Sequence, residues 1–564
     1  MKSLLVAVII LFCALSIHAQ GSAFSDLGEN ILAETWRFHP VHATYKGIHS
    51  YDTLLGDYSG TALKERVKRI EQWIAALDTI DLQQLSSDDQ IDHQLLRIHL
   101  EHQLFNIETV RSYERDPLIY VSECIDGIYV LMIRSSPSTS FRIRAIRSRL
   151  RMIPPFLEIA KKNLKHPPRI FCDVGVEQLE EAEDLIDAIY ATFRDSLPDD
   201  QQRAFLIEKN KAIATLWVFA DWLRQNADRN APSVLGREHY EFKLQQVHLL
   251  DLDADSLLAL GTNVLRETVA MIDSLEALRE ASPPETVDIP NGFGKEAVMA
   301  YRKEEIEYLR DFVTDAEVIT MPQEIGELKI VETPGFLRTI IPGIAMMPPG
   351  PFDESLTSYF YVRPLPDAFT QAETAYYLNY IKNNWFRRSV VHEGYPGHHL
   401  QLSIANKHRS AVRRSFHDYF LIEGWALYCE EFMAKSGAYG DPLNAFLDAL
   451  YGVKFRAARV VVDCMLQTEQ SSYEEAVDYM RENAGGDSTF LAREVRRYIT
   501  DPGQASSYLV GKLQILSLKH EYEEAKGEAF TVREFHDRLL REGSIPVSLI
   551  RKKLMDELEH GVSE

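Results

Sequence analysis

Cysteine is scarce in this chain, five in 564 residues, and one of the five, Cys13, lies in an N-terminal apolar stretch. Cys124, Cys172, Cys429 and Cys464 remain, too sparse for a disulfide scaffold. None has a C-x-x-C spacing, which argues against a cysteine zinc site. They read as isolated core thiols, with Cys429 and Cys464 as the one pair whose placement leaves a bridge open. Positive charge is short as well: 61 Lys and Arg against 84 Asp and Glu give a formal charge of −23. A nucleic-acid partner needs a basic face to neutralise phosphates, so that class is set aside. The acidity is spread along solvated helix faces instead of gathering in a tail. Past residue 17 no segment is apolar for long enough to cross a bilayer, and no repeat or low-complexity tract is present.

The N-terminus reads as an export signal. Met1-Lys2-Ser3 is a short cationic region, Leu4 to Ile17 is apolar over signal-peptide length, and cleavage after Ala19 or Gln20 fits the small residues there. Cys13 lacks the small residues that precede a lipidated cysteine, so no lipid anchor is expected. The reading is residues 1–20 as signal peptide and a soluble mature protein, periplasmic or secreted.

With 45% hydrophobic residues the chain has ample core for a large enzyme of two coupled lobes. Most of it carries helical period. Ile91, Leu95, Ile98 and Phe105 mark one apolar face in a segment that also holds His93, His99 and His102, which read as core or surface histidines. Similar stretches cover about 142–165, 174–195, 200–227 and 254–281. Ser472 with Glu475 and Thr531 with Glu534 predict capping boxes. Turn chemistry from Ala281-Ser282-Pro283-Pro284 to Asn291-Gly292 marks a hinge, dividing an N-terminal helical lobe, 21–290, from a catalytic lobe, 291–564. Strand signal is confined to about 316–364: Glu317–Thr320, Leu328–Val331 and Ser358–Val362. The expected fold is mainly α with a small β-sheet beside the histidine-rich helix.

The common zinc-hydrolase motif, H-E-x-x-H, is absent in strict form. Its second histidine position is Pro396, within Val391-His392-Glu393-Gly394-Tyr395-Pro396-Gly397-His398-His399-Leu400-Gln401. On an ideal helix His398 would point roughly 120° from His392, and His399 would sit about 10 Å further along the axis. Pro396 and Gly397 predict a kink or bulge that swings one of them back. His398 is the first choice, with His399 left for substrate or a supporting bond; the residues alone leave the two open. Glu423 follows in Glu423-Gly424-Trp425-Ala426-Leu427-Tyr428. Two imidazoles and a later carboxylate form the ligand set of a hydrolytic site for one Zn2+ per chain, with a position left open for water.

The strings HEGYPGHHLQ, EGWALYCEE and PGQASSYLVGKLQIL resemble those of the bacterial DUF885 proteins, regarded as candidate zincin-like peptidases. The resemblance begins near Pro40-Val41-His42-Ala43-Thr44-Tyr45-Lys46-Gly47 and passes through Thr333-Pro334-Gly335-Phe336 and Phe352-Asp353 to Tyr508. It implies a helical zincin-like, gluzincin-type fold, a metal on His392, one of His398 and His399, and Glu423, and Glu393 as base. Where relatives tend to read VVD-x-G-x-H, this chain has Gln467 in place of the histidine, a departure that bears on specificity and leaves the metal residues alone.

The chemistry assigns further roles. Glu393 would take a proton from water and return it to the leaving group. Tyr508 is the candidate donor to the oxyanion. Tyr359 and Tyr361, in a strand expected at the sheet edge, would hold a peptide by strand addition. Arg459 would meet a substrate carboxylate, although pairing with Asp463 is the simpler account, and His417 is a second candidate at the substrate. The leading expectation is an exported zinc peptidase acting on short peptides. A zinc hydrolase of another amide or an ester is the alternative, and a catalytically silent, metal-stabilised binding protein is a third, which an intact Glu393 disfavours.

Overall fold

Long amphipathic helices account for nearly all of the regular structure, as the periodicity predicts. The computed structural model describes residues 23–278, 293–334 and 343–560. The expected signal segment and the 281–292 hinge therefore lie outside the described residues. The chain divides into two compact units, the first made of 1–231, 350–354 and 408–416, the second of 232–349, 355–407 and 417–564.

In the first unit the helices Ser87–Leu104, Leu118–Ile133, Thr139–Asn163, Arg169–Phe193 and Asp199–Asn226 bury their apolar stripes against one another. The three long stretches predicted from 142 onward match the last three helices to within a few residues. His93 is buried and His99 half-buried, bonded to Leu77 O and to Gln103 respectively. The excursion 408–416 is secured by the fully buried Arg413, whose guanidinium bonds Asp92 at 3.0 Å and Asp88 at 2.9 Å.

The second unit holds the sheet. Strands β1 (Leu328–Glu332), β2 (Ala345–Met347) and β3 (Ser358–Val362) are ordered β1-β3-β2, with β1 parallel and β2 antiparallel to β3. Two expectations are corrected. Glu317–Thr320 is not a strand: Glu317 adopts φ 50° just after the helix Lys295–Asp315, and the chain turns instead of extending. β3 is the centre of the sheet, because β2, too short to be foreseen, covers its other side. The units divide at 231/232, and within the second the helix Ala254–Glu276 packs on the helix Pro442–Gln467, Gly261 lying against Val460. Ser472 and Glu475 form a full capping box, whereas Thr531 caps Glu534 N without the return bond. The four described cysteines are buried and unbridged.

The helices Tyr419–Lys435 and Gln504–Lys526 cross with their backbones in contact. A Cβ on Gly511 would lie 1.7 Å from Phe420 O, and one on Gly424 would lie 2.4 Å from the Gly511 carbonyl carbon. Only hydrogen fits at either place. Gly511→Ala is expected to cost about 3 kcal/mol or more in urea unfolding, the upper range of core overpacking; a change below about 0.5 kcal/mol would show that the crossing relaxes freely.

Candidate metal centre

The helix Trp385–Glu393 stops one residue after His392, where Gly394 N and Tyr395 N both turn back to Val390 O. Gly397 lies on top of the helix end, so close that a Cβ there would sit 1.9 Å from His392 O. A new helix, His398–Ala405, starts immediately after. The expected bulge is thus a complete break. It brings the His398 ring to 4.7 Å from the His392 ring, nearly perpendicular to it. Trp425 secures the connection by donating its indole N–H to Pro396 O at 2.8 Å.

Glu423, on the helix Tyr419–Lys435, reaches the same point. Its Oε2 lies 3.4 Å from His398 Nε2 and 3.6 Å from His392 Nε2. Those separations are long for charge-assisted hydrogen bonds, which run about 2.7–2.9 Å. They match the edge of a tetrahedron whose metal–ligand bonds are about 2.0–2.1 Å, roughly 3.4 Å. One donor atom from each of the three residues falls within 4.8 Å of the others, and among the described residues this is the one such cluster of three or more. Glu423 Oε2 and His398 Nδ1 are buried without a hydrogen-bond partner. The donor set, two imidazoles and a carboxylate, fits a zinc-type divalent ion.

The supporting bonds fit it as well. His392 Nδ1 donates to Glu430 Oε1 at 2.8 Å, which fixes the tautomer and leaves the Nε2 lone pair facing the cluster. Burial alone would raise the Glu430 carboxyl, but Arg456 at 3.4 Å and His392 bring it down to about 2. Burial would likewise lower His392, yet Glu423, Glu430 and Glu393 around it push it up to about 10. The surroundings are therefore strongly negative, as a cation site requires. Glu430 was missed in the sequence, although its spacing of seven from Glu423 puts both on one helix face.

Glu393 is half-buried beside the cluster and accepts the N–H of Met346 in β2. Burial holds its carboxyl above the ordinary range, against the pull of His392 and His398. The Tyr508 ring stacks 6.3 Å from that of His392, on the far side of the helix crossing. Gln504 Nε2 donates to the Tyr508 hydroxyl at 3.3 Å, and burial followed by Glu423 raises the phenol pKa, keeping it a donor. Asp463 anchors the start of Tyr508's helix by accepting from Gly503 N, the Ser506 hydroxyl and the Tyr240 hydroxyl. It is thus occupied elsewhere and does not pair with Arg459, which lies 4.1 Å over the Tyr508 ring.

Other expected site residues lie elsewhere. His399 lies outside the three-donor cluster, with its Nδ1 2.7 Å from Ser358 Oγ, and burial lowers its pKa to about 4. Tyr359 and Tyr361 stack on each other. Strand alternation puts them on the face opposite Ser358 and Phe360, which meet His399 and Phe386 of the histidine helices. They do not face the cluster, and β2 takes the edge position assigned to β3. His417 sits half-buried in the loop before the helix Tyr419–Lys435, outside the three-residue cluster. Gln467 is fully buried, bonding Leu235 N and Tyr498 O, a structural role.

Zinc titration of the metal-free protein is expected to give one tight site. His398→Ala should abolish it, whereas His399→Ala should keep the stoichiometry. Glu430→Gln should weaken affinity by about 10–100-fold. Loss of the site in His399→Ala with retention in His398→Ala would reverse the ligand assignment.

No curated protein matches the chain. Its fold is shared with two solved structures: one described as "a putative lipoprotein of unknown function" from Shewanella oneidensis, the other as "the putative lipoprotein" from Colwellia psychrerythraea. The first is 22% identical with TM-score 0.76, covering 94% of this chain and 99% of that one. The second is 18% identical with TM-score 0.77, covering 96% and 99%. The family model described as "Bacterial protein of unknown function (DUF885)" matches residues 40–554, so this chain, with its break between His392 and His398 and its Glu423, belongs to the DUF885 family.

Proposed function

We propose that this protein is an exported, zinc-dependent peptidase of zincin type that hydrolyses short peptides. The observation that carries the reading is Glu393: a half-buried carboxylate, adjacent in sequence to one donor of a three-donor cluster, and bonded to the edge strand of a sheet. A structural metal site has no use for such a group.

When bound, zinc would supply Lewis acidity and let water ionise toward pH ~7. Glu393 accepts the proton of the attacking water and returns it to the leaving nitrogen. A carboxyl held above its ordinary range is suited to both steps. Tyr508 receives a hydrogen bond from Gln504 on its oxygen and so keeps its own proton for the developing oxyanion. β2, with the Met346 N–H turned toward Glu393, is an edge on which an extended peptide would lie by strand addition. Export is supported by the signal-like N-terminus and by the lipoprotein descriptions of the two solved relatives. No described helix is long and apolar enough to cross a membrane.

Zinc-loaded protein incubated with a mixture of short peptides should yield fragments by mass spectrometry. Glu393→Gln should reduce cleavage by about 10²–10⁴-fold while keeping one zinc per chain. Undiminished cleavage in that variant would overturn the mechanism.

A further inference from the structure

Arg459 is the cation that the proposed mechanism leaves unused. It projects from the helix Pro442–Gln467, is 4% exposed, and its Nε is buried without a partner. Among the described residues its one hydrogen bond is to Gln504 Oε1, at 3.4 Å from Nη2. The rest of its surroundings are aromatic: Tyr508 at 4.1 Å, Tyr498 at 5.4 Å and Phe455 at 5.9 Å from the guanidinium carbon. No described carboxylate forms an ion pair with it. Glu494, the carboxylate whose charge acts on it, is already engaged by Arg497, which also donates to Gln504 Oε1. Asp463 is taken by three other donors. Two guanidinium groups thus draw on one carboxylate, which leaves the buried Arg459 without a counter-ion of its own. Stacking on aromatic rings offsets only part of that cost.

A guest anion would complete the balance, and the place is set by Tyr508. Its ring reaches both, 6.3 Å from the His392 ring and 4.1 Å from the Arg459 guanidinium carbon. At about 3.3–3.6 Å per extended residue, the arginine and the cluster are no more than about three residues of peptide apart. A carboxylate that close to a scissile bond is most simply the C-terminus of the substrate.

We propose that Arg459, with Gln504 beside it, is the subsite for the C-terminal carboxylate of the peptide, making the enzyme a carboxypeptidase that releases one to three residues. This rests on the peptidase reading above, and adds to it the end of the chain that is recognised. A guanidinium presents a planar fork to a carboxylate, which lysine does not reproduce.

The test uses zinc-loaded full-length protein and matched peptides, each as free acid and as C-terminal amide, with and without an internal Glu. The wild type should favour free acids by about 20-fold or more in kcat/KM, the range of a charged hydrogen bond. Arg459→Lys and Arg459→Ala should bring that ratio toward one, mainly through KM. Binding of the same free-acid and amide pair to the Glu393→Gln protein by calorimetry reads recognition without turnover. Free-acid selectivity in binding that depends on Arg459 would uphold the subsite even if no peptide were cleaved. Equal use of acids and amides by the wild type would overturn it and leave the peptidase reading standing. So would a loss in the Arg459 variants that is the same for both forms, because Arg459 would then only hold the Tyr508 ring. Selectivity that follows the internal Glu in place of the C-terminus would also overturn it.

Discussion

Everything at the candidate centre depends on two helices touching backbone to backbone at Gly424 and Gly511. Glu423 immediately precedes the first glycine and Tyr508 lies one turn before the second, so a single crossing sets both side chains. Trp425 immediately follows Gly424 and holds Pro396 O, which sits in the break between the two histidines. Three consecutive residues thus supply a cluster donor, a helix contact and the tie that brings the other donors in. A backbone contact has no rotamer through which to relax. It therefore transmits position more rigidly than side-chain packing does, and a three-donor site needs placement within about 0.5 Å.

The electrostatics divide on either side of Tyr508. Toward the cluster lie Glu393, Glu423 and Glu430, whose charges favour a cation strongly enough to push His392 up to about 10. Near the ring on its arginine side lie Arg459 and Arg497, the latter paired with Glu494. The phenol stands at the boundary, and Gln504 joins the two sides by donating to Tyr508 while accepting from both arginines. A polar molecule with an electron-rich carbonyl at one point and a negative charge a few ångströms away is complementary to that pattern.

What the sequence revealed and what it hid follow from the range of the interactions involved. The long helices were legible because their period is local, and the motifs around His392 and Glu423 because their chemistry is compressed into a few residues. The choice between His398 and His399 was not legible: it depends on Gly397 closing over His392 O, and on Ser358 in a distant strand bonding the His399 ring. β2 escaped notice because Ala345-Met346-Met347 is short and carries no β-branched residue. Missing it made β3 look like an edge and gave Tyr359 and Tyr361 a role that the proposal moves to β2. Glu430 was within reach, being on the same face as Glu423, but nothing local marks it as the partner of a histidine 38 residues earlier.

The number of donors bears on whether the cluster would serve stability or chemistry. Structural zinc sites are closed by four protein ligands, whereas catalytic ones keep a position for water or substrate. Here three donors converge among the described residues, and the histidine best placed by sequence to be a fourth, His399, is turned to the sheet. Beside the cluster stands Glu393, half-buried and above its ordinary pKa range, and the Tyr508 ring stacks against that of His392. Burying a carboxylate costs free energy unless it is paired, and Glu393 has one backbone N–H where Glu430 has a histidine and arginines. A fold that needed only a metal staple would gain stability by replacing Glu393 with an apolar residue. Under the proposed reaction that cost has a use, because Glu393 is the group that would take and return the proton.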